Sequence, residues 1–347
     1  MTDQQIIFPH DLNIKITVPS SHPFSTIYIK RPYREILFRK IHTFLIKTKI
    51  IDPTANMIDL GAWIGDNTLP WSKMITGTVY AIDPSVDNCA YIKELVQLNQ
   101  AKNVEIIQTA ISETNKILST NGDLHHCSFE YGNPGKNGKH QIKSTSLDSL
   151  YLEKKITNIG YIHLDVEGME HLVIRGAKKI IDRDRPVMTY EVHLELDSHI
   201  DQTKKRFILA NYQVFMINEI LPGCRLDCRN MLAIPEERIG ETFLPDLVDG
   251  LYDDLCQGRK YCLVYQGDHN VNLRPYDDLE EGTKHFDRMN GGHHAVILVE
   301  FITSKQESDD KSIKILKRYG EPQWVQSCID HLNRKKKADK IPLIKMS

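Results

Sequence analysis

No apolar run in this sequence is long enough to cross a bilayer. Ala295–Phe301 is among the longest, and Glu300 interrupts it far short of the roughly twenty residues a spanning helix needs. No membrane partner is expected. Neither sign of charge prevails: 44 Lys and Arg against 46 Asp and Glu leave a formal net charge of -2. Such a balance creates no global field to draw nucleic acid, so a nucleic-acid partner is not favoured. Met1–Phe8 contains Asp3 but no Lys or Arg, and reaches Pro9 after a short apolar stretch, which does not read as a secretory leader. A disulfide framework is missing as well. The seven cysteines are odd in number and irregularly spaced, so reduced thiols and a cytoplasmic setting are expected. Cys224 and Cys228, with three residues between them, are followed by no second Cys or His pair at zinc-finger spacing. A zinc site there is discounted.

What is present is an ordinary globular composition, 41% hydrophobic and 26% charged, which excludes wholesale disorder. Residues 1–52 read as a preamble packing on the core: a short strand at Ile14–Val18, then an amphipathic helix within Tyr33–Lys47. From Met57 a strand–helix rhythm begins. Strands are expected at Met57–Leu60, Thr78–Ile82, Val104–Ile107, Gly160–Val166 and Val187–Val192, with helices at Asn67–Met74, Val86–Asn99 and Met169–Ile181 between them. The pattern predicts an α/β fold with a doubly wound, mostly parallel sheet over residues 53–235. A helix near Thr203–Leu209 and strands at Tyr212–Ile217 and Met231–Ile234 would close it. Asn121–His140, polar and rich in Gly, reads as a loop, and its Gly132–Gly138 stretch suits either a lid or a plain connection. Residues 236–347 read as a C-terminal extension of unknown role. Strands at Tyr261–Tyr265 and Ala295–Phe301, a helix at Pro322–Leu332 and the basic run Arg334–Lys337 are the features visible there.

The chemistry concentrates at three strand ends. Asp59-Leu60-Gly61-Ala62-Trp63-Ile64-Gly65 ends a strand and carries two glycines, which permit a sharp turn and close backbone approach to a ligand. It lacks the third glycine that seats a dinucleotide pyrophosphate, so a nucleoside without phosphates is the better fit, its tail held by loop amides and Asp59. Asp83 ends the next strand, placed to accept from ribose hydroxyls. Asp165 ends a third, with His163 and Glu167 on the same alternation. A carboxylate there is costly unless it has a function or a partner.

Asp59 to Gly65, Asp83-Pro84, Thr145 to Leu150, His163 to Glu170, Gly176-Ala177 and Glu191 stand in the order seen in FkbM-family methyltransferases. The chain from Met57 to about Glu195 resembles that family. The resemblance implies an S-adenosylmethionine-dependent methyltransferase, usually acting on a hydroxyl of a sugar or natural product. It assigns Gly61 and Gly65, with Ala62 and Trp63 between them, to the cofactor loop and Asp83 to the ribose. Two residues depart from the family pattern: Trp63 stands where Asn is common, and His163 where Lys is common.

An alcohol acceptor needs its proton removed as the new bond forms, and Asp165 is the first candidate base, with His163 and His193 behind it. Asp165, Glu191 and His193 together could hold a divalent magnesium- or manganese-like cation, though a metal-free acid–imidazole cluster is preferred. His125-His126-Cys127 and His293-His294 read as ordinary exposed residues. The expected partner is therefore a small-molecule or glycan acceptor. Two alternatives stand beside it: a protein or RNA acceptor recognised by the extension, and a nucleotide-fold binding protein or dehydrogenase.

Overall fold

The strand–helix alternation from Asn56 onward builds a sheet that both faces of the chain cover. The computed structural model describes residues 3–8, 11, 13–25, 35–120, 140–193, 199–218, 228–244, 246–247, 261–266, 271–276, 278–289, 293–301, 313–340 and 343–346. It divides into two compact units, Met1–Phe243 with Leu343–Ser347, and Leu244–Pro342.

The first unit opens with a hairpin of β1 (Asp3–Ile7) and β2 (Lys15–Pro19), followed by α1 (Ile36–Lys47). Next come β3 (Asn56–Leu60), α2 (Thr68–Ser72), β4 (Val79–Asp83), α3 (Val86–Leu98) and β5 (Val104–Gln108). A small sheet of β6 (Ala110–Ser112), β7 (Lys116–Thr120) and β8 (His140–Ser146) intervenes in the order β6-β8-β7. The chain continues through α4 (Leu147–Lys154), β9 (Ile159–Leu164), α5 (Glu170–Arg175), α6 (Lys178–Asp184) and β10 (Val187–His193). It ends with α7 (Ile200–Leu209), β11 (Tyr212–Ile217) and β12 (Cys228–Pro235).

The main sheet has eight strands, ordered Leu343–Lys345, β11, β12, β10, β9, β3, β4, β5. The run from β10 to β5 is parallel, whereas β12, β11 and Leu343–Lys345 pair antiparallel. The sheet is thus mixed but largely parallel. Every residue of β9 and β10 is buried, as strands covered on both faces require.

Alternation splits these strands between two environments. Ile58, Leu60, Ile162, Leu164, Met188, Tyr190 and Val192 join the apolar cluster containing Val173, Ile180 and Phe207 of α5, α6 and α7. Their neighbours Asp59, His163, Thr189, Glu191 and His193 make a buried polar row on the opposite face. Helices α1 and α2 roof part of that row, with Phe38 and Trp71 each 5.4 Å from His163 between ring centroids. The β1–β2 hairpin contributes Phe8, Ile16 and Val18 to a further core with Ile64, Leu69 and Ile92.

The expected single helix over Met169–Ile181 is two helices. Gly176 lies so close to β6 that a Cβ there would stand 2.4 Å from the Ser112 carbonyl oxygen. The Gly176 carbonyl accepts from Asp148 N, and the Asp148 carboxylate accepts from Lys179 N and Ile180 N at 3.0 and 3.1 Å. Asp148 therefore caps α6 from a distant part of the chain, which fixes the break.

In the second unit, β13 (Tyr261–Gln266), β14 (Val271–Tyr276), α8 (Leu279–Met289), β15 (Ala295–Phe301), β16 (Ile313–Gly320) and α9 (Pro322–Lys340) form an antiparallel sheet ordered β14-β13-β15-β16. Val325, Cys328 and Leu332 of α9 cover one face, and Phe286 of α8 packs on the other. This unit therefore has a core of its own. Among the described residues, no helix is long and apolar enough to cross a membrane.

The Asp148 cap gives a direct test. Asp148→Ala should lower the unfolding free energy in urea by about 1–2 kcal/mol, the usual effect of losing a helix cap. No loss would mean that α6 starts without Asp148.

Candidate functional site

In an open α/β sheet, ligands bind beyond the carboxyl ends of strands where the chain order reverses. The parallel strands run β5-β4-β3-β9-β10, so the reversal falls between β3 and β9. Gly61 follows β3 and Asp165 follows β9. A Cβ on Gly61 would lie 1.8 Å from the Asp165 carbonyl oxygen, and Asp165 N donates to Leu60 O at 3.0 Å. The glycine loop and Asp165 thus meet at the reversal.

The loop is closed by its own backbone. Gly61 N and Ala62 N both donate to Ile82 O, Gly65 N donates to Ala62 O, and Trp63 N donates to Asp83 Oδ2 at 2.9 Å. Four amides expected to face a ligand are therefore committed within the protein. Gly61 and Gly65 have φ of +76° and +80°, and Trp63 has φ of +44°. The last is an uncommon region for a bulky residue, whereas Asn, which the FkbM pattern has here, tolerates it better. The departure at Trp63 is thus a departure in backbone strain as well as in shape.

Asp83 is buried at the end of β4. Besides Trp63 N, its carboxylate accepts from Ser85 N at 2.8 Å and Asn88 Nδ2 at 3.1 Å. It ties the glycine loop to the start of α3.

Asp59 lies in the polar row beneath the loop. It is 1% exposed, and Thr68 Oγ1 donates to its Oδ2 at 2.5 Å. Burial pushes its carboxyl up to about 7, with Asp66 and Asp83 adding to the shift and the Thr68 hydrogen bond opposing it. Nearby, buried Arg39 of α1 reaches Asp66 Oδ2 at 3.2 Å and Asn67 Oδ1 at 2.7 Å.

His163 also belongs to this buried row. Its Nδ1 lies 2.9 Å from Thr189 Oγ1, and burial, followed by the charge of Arg39, pushes its pKa down to about 3. The imidazole is held neutral and is a weak base, so its place is structural support behind the crevice.

Asp165, by contrast, is partly exposed. Desolvation raises its pKa well above the usual carboxylate range, and Glu191, Glu167, Glu35 and Glu170 push the same way. The turn after it is built by Glu170, whose Oε1 accepts from Val166 N at 2.9 Å, with Glu167 and Gly168 at φ of +54° and +92°.

Glu191 and His193 follow on β10, with His193 Nε2 3.5 Å from Glu191 Oε2 and His193 Nδ1 3.3 Å from Cys228 Sγ. Glu35 joins them from the start of α1 through Asn230 Nδ2, which donates at 3.0 Å. Cys228 is disulfide-bonded, a departure at that position from the expectation of reduced thiols, whereas Cys89, Cys262 and Cys328 are free. Among the described residues, the group with metal-ligand character is Glu191, His193 and Cys228. Cys228 stands in it, and not Asp165.

Arg39, Glu35, Asn230 and Thr189 were not expected from the sequence. Their role comes from contacts between residues far apart in the chain, and no local spacing announces them. Two expected features, Gly132–Gly138 and His125-His126-Cys127, fall outside the described residues. His293 and His294 are in the second unit, packed at 5.0 Å on Tyr265 and 4.9 Å on Trp324.

Residues 59–214 match the family model described as the Methyltransferase FkbM domain. No curated protein sequence matches the chain. Among solved structures, the chain is similar to the methyltransferase FkbM from Methylobacillus flagellatus KT, at 15% identity and TM-score 0.40, over 61% of this chain and 55% of that one. The chain thus spans about half the length of that protein. It is also similar to an rRNA methylase from Streptococcus thermophilus, at 13% identity and TM-score 0.36, over 57% of this chain and 95% of that one. A third is the O-methyltransferase from Bacillus cereus, at 14% identity and TM-score 0.35, over 55% and 79%.

Asp59 should leave a signature in stability. Its folded pKa of about 7 exceeds the unfolded value of about 3.9, so between these pH values the folded state holds a proton that the unfolded state lacks. This group therefore makes stability fall as pH rises through that window. Urea midpoints taken from pH 4 to pH 8 should fall less steeply for Asp59→Asn than for the parent. An unchanged slope would show that Asp59 titrates as an ordinary carboxylate.

Proposed function

We propose, starting from the FkbM-family methyltransferase domain that the chain carries at residues 59–214, that the protein is an S-adenosylmethionine-dependent methyltransferase acting on a hydroxyl of a sugar, glycan or small molecule. One observation carries this reading: the glycine loop meets a partly exposed carboxyl, Asp165, where the strand order reverses.

The residues present fit this cofactor better than a dinucleotide. The loop amides of Gly61, Ala62, Trp63 and Gly65 are engaged internally, so they form no cradle for a pyrophosphate. The groups facing the reversal are acidic, which suits ribose hydroxyls and a cationic ligand. S-adenosylmethionine, when bound, supplies an electrophilic methyl group on a positively charged sulfur.

Asp83 would hold the ribose through its carboxylate, whose Oδ2 accepts from Trp63 N in this structure. Gly61 brings the loop backbone against Asp165 without a side chain in between. Asp165 is the base. Burial and the surrounding carboxylates hold its carboxyl well above the ordinary carboxylate range. A positive charge in the crevice would oppose that shift and favour the carboxylate, the form that can take the acceptor's hydroxyl proton. His163 supports the sheet beneath, and Glu191 with His193 sets the electrostatics behind Asp165. Much of the acceleration comes from holding the acceptor oxygen in line.

Calorimetry in buffers of differing ionisation enthalpy tests this. S-adenosylmethionine and S-adenosylhomocysteine should bind and NAD should not. The sulfonium form should release more protons, since it alone brings a positive charge to Asp165. NAD binding without binding of the methyl donor would exclude the reading. Asp83→Ala should weaken donor binding at least about tenfold. Asp165→Asn should remove the extra proton release, weaken the sulfonium donor relative to S-adenosylhomocysteine, and lower turnover at saturating donor by about 10²-fold or more, the usual worth of a positioned base. A labelled-methyl screen of sugars, glycans and alcohols supplies the acceptor for that comparison, and full turnover by Asp165→Asn would remove Asp165 as base.

A further inference from the structure

His193 and Cys228 stand directly opposite each other in the β10–β12 ladder, and Glu191 lies two residues back on the same face. All three are buried, at 6%, 1% and 4% exposure. One ligand atom from each falls within 4.8 Å of the others. We propose that Glu191, His193 and Cys228 form a binding site for a zinc-like transition-metal cation, and that the disulfide at Cys228 closes this site.

A tetrahedral zinc at its usual distances from thiolate and imidazole holds S and N about 3.6 Å apart. Cys228 Sγ lies 3.3 Å from His193 Nδ1, so a cation enters that pair with little movement. Glu191 faces the other ring nitrogen, with Oε2 3.5 Å from His193 Nε2, and reaches the same cation only when its side chain turns toward Cys228, within the 4.8 Å that separates the three donors. The donor set of carboxylate, imidazole and thiolate selects a borderline cation over magnesium or calcium, which take oxygen. Three protein ligands leave a fourth position for water or another ligand, as in catalytic rather than structural zinc sites. Both strands are inside the sheet, so the ligands are held by backbone pairing.

Only a thiolate is a ligand, and a sulfur engaged in a disulfide is not one. Opening the site therefore takes a reductant. A dithiol delivers two electrons and two protons, the S–S bond at Cys228 breaks, both sulfurs become thiols and the dithiol becomes a disulfide. On metal binding the Cys228 thiol gives its proton to solvent and its sulfur lone pair to the cation. Metal and disulfide are then alternative states of one sulfur. This inference does not depend on the methyl-transfer reading, because its readout is bound metal and not turnover.

The full-length chain is prepared in two forms, reduced with a dithiol and oxidised with a disulfide oxidant, and each is titrated with zinc against a chromophoric chelator. The reduced form should bind one equivalent, and the oxidised form at least a hundredfold more weakly. Cobalt in place of zinc should give the reduced form a thiolate-to-metal absorption band. Cys228→Ser should abolish that band, and both Cys228→Ser and His193→Asn should weaken zinc at least tenfold. Equal zinc affinity in the two redox forms would overturn the proposal, as would a thiolate–cobalt band that survives in Cys228→Ser. If either variant fails to fold by circular dichroism, the reduced and oxidised parent forms decide the matter alone.

Discussion

A Cβ on Gly61 would lie 1.8 Å from the carbonyl oxygen of Asp165, and much of the site depends on that closeness. The ends of β3 and β9 can approach only if one of them has no side chain there. Leu60 O and Asp165 N then bond across the gap, and the glycine loop turns back to Ile82 O at the end of β4. Asp83 secures the loop from the other side through Trp63 N. The loop's shape is therefore set by strand-end contacts before any ligand arrives. This is the sense in which the crevice is preorganised.

Beneath the loop, the same strands carry an unusual density of buried ionisable groups. Asp59, His163, Glu191 and His193 lie on one sheet face, roofed partly by α1 and α2. Isolated buried charges would be very costly. The structure answers by neutralising some and pairing others. Asp59 is pushed towards its protonated form and His163 towards its neutral one, while Arg39 pairs with Asp66. Asp165 sits at the exposed margin of this layer, where a cation can reach it and change its protonation state. A polar interior that suits only neutral residues would thus become a crevice responsive to positive charge.

The apolar strands, the glycine spacing and Asp83 were legible in the sequence because each is a local signal. Alternation at Met57–Leu60 and Val187–Val192 was enough to place strands that the structure extends by a residue each, to Asn56 and His193. The direction of Asp59 was less accessible. Spacing placed it beside the ligand loop, but strand alternation turns its carboxyl into the buried layer and onto Thr68. The division of the Met169–Ile181 helix follows from Asp148, thirty residues upstream of Lys178, and no local propensity encodes that contact. The Glu35–Asn230 bond joins residues 195 apart. The edge strands of the C-terminal sheet, β14 and β16, were missed although Val271-Asn272-Leu273-Arg274 and Ile313-Lys314-Ile315 alternate; Pro275 within the one run and the adjacent charges Lys317-Arg318 within the other weaken the signal.

The central claim is that the donor occupies the crevice between Gly61 and Asp165, with its ribose on Asp83. A crystal structure of the full chain with S-adenosylhomocysteine tests it most directly. The account predicts ribose hydroxyls within hydrogen-bond distance of the Asp83 carboxylate and the sulfur on the side of the glycine loop that faces Asp165. Ligand density away from the β3–β9 strand ends, or a ribose held by residues other than Asp83, would contradict it.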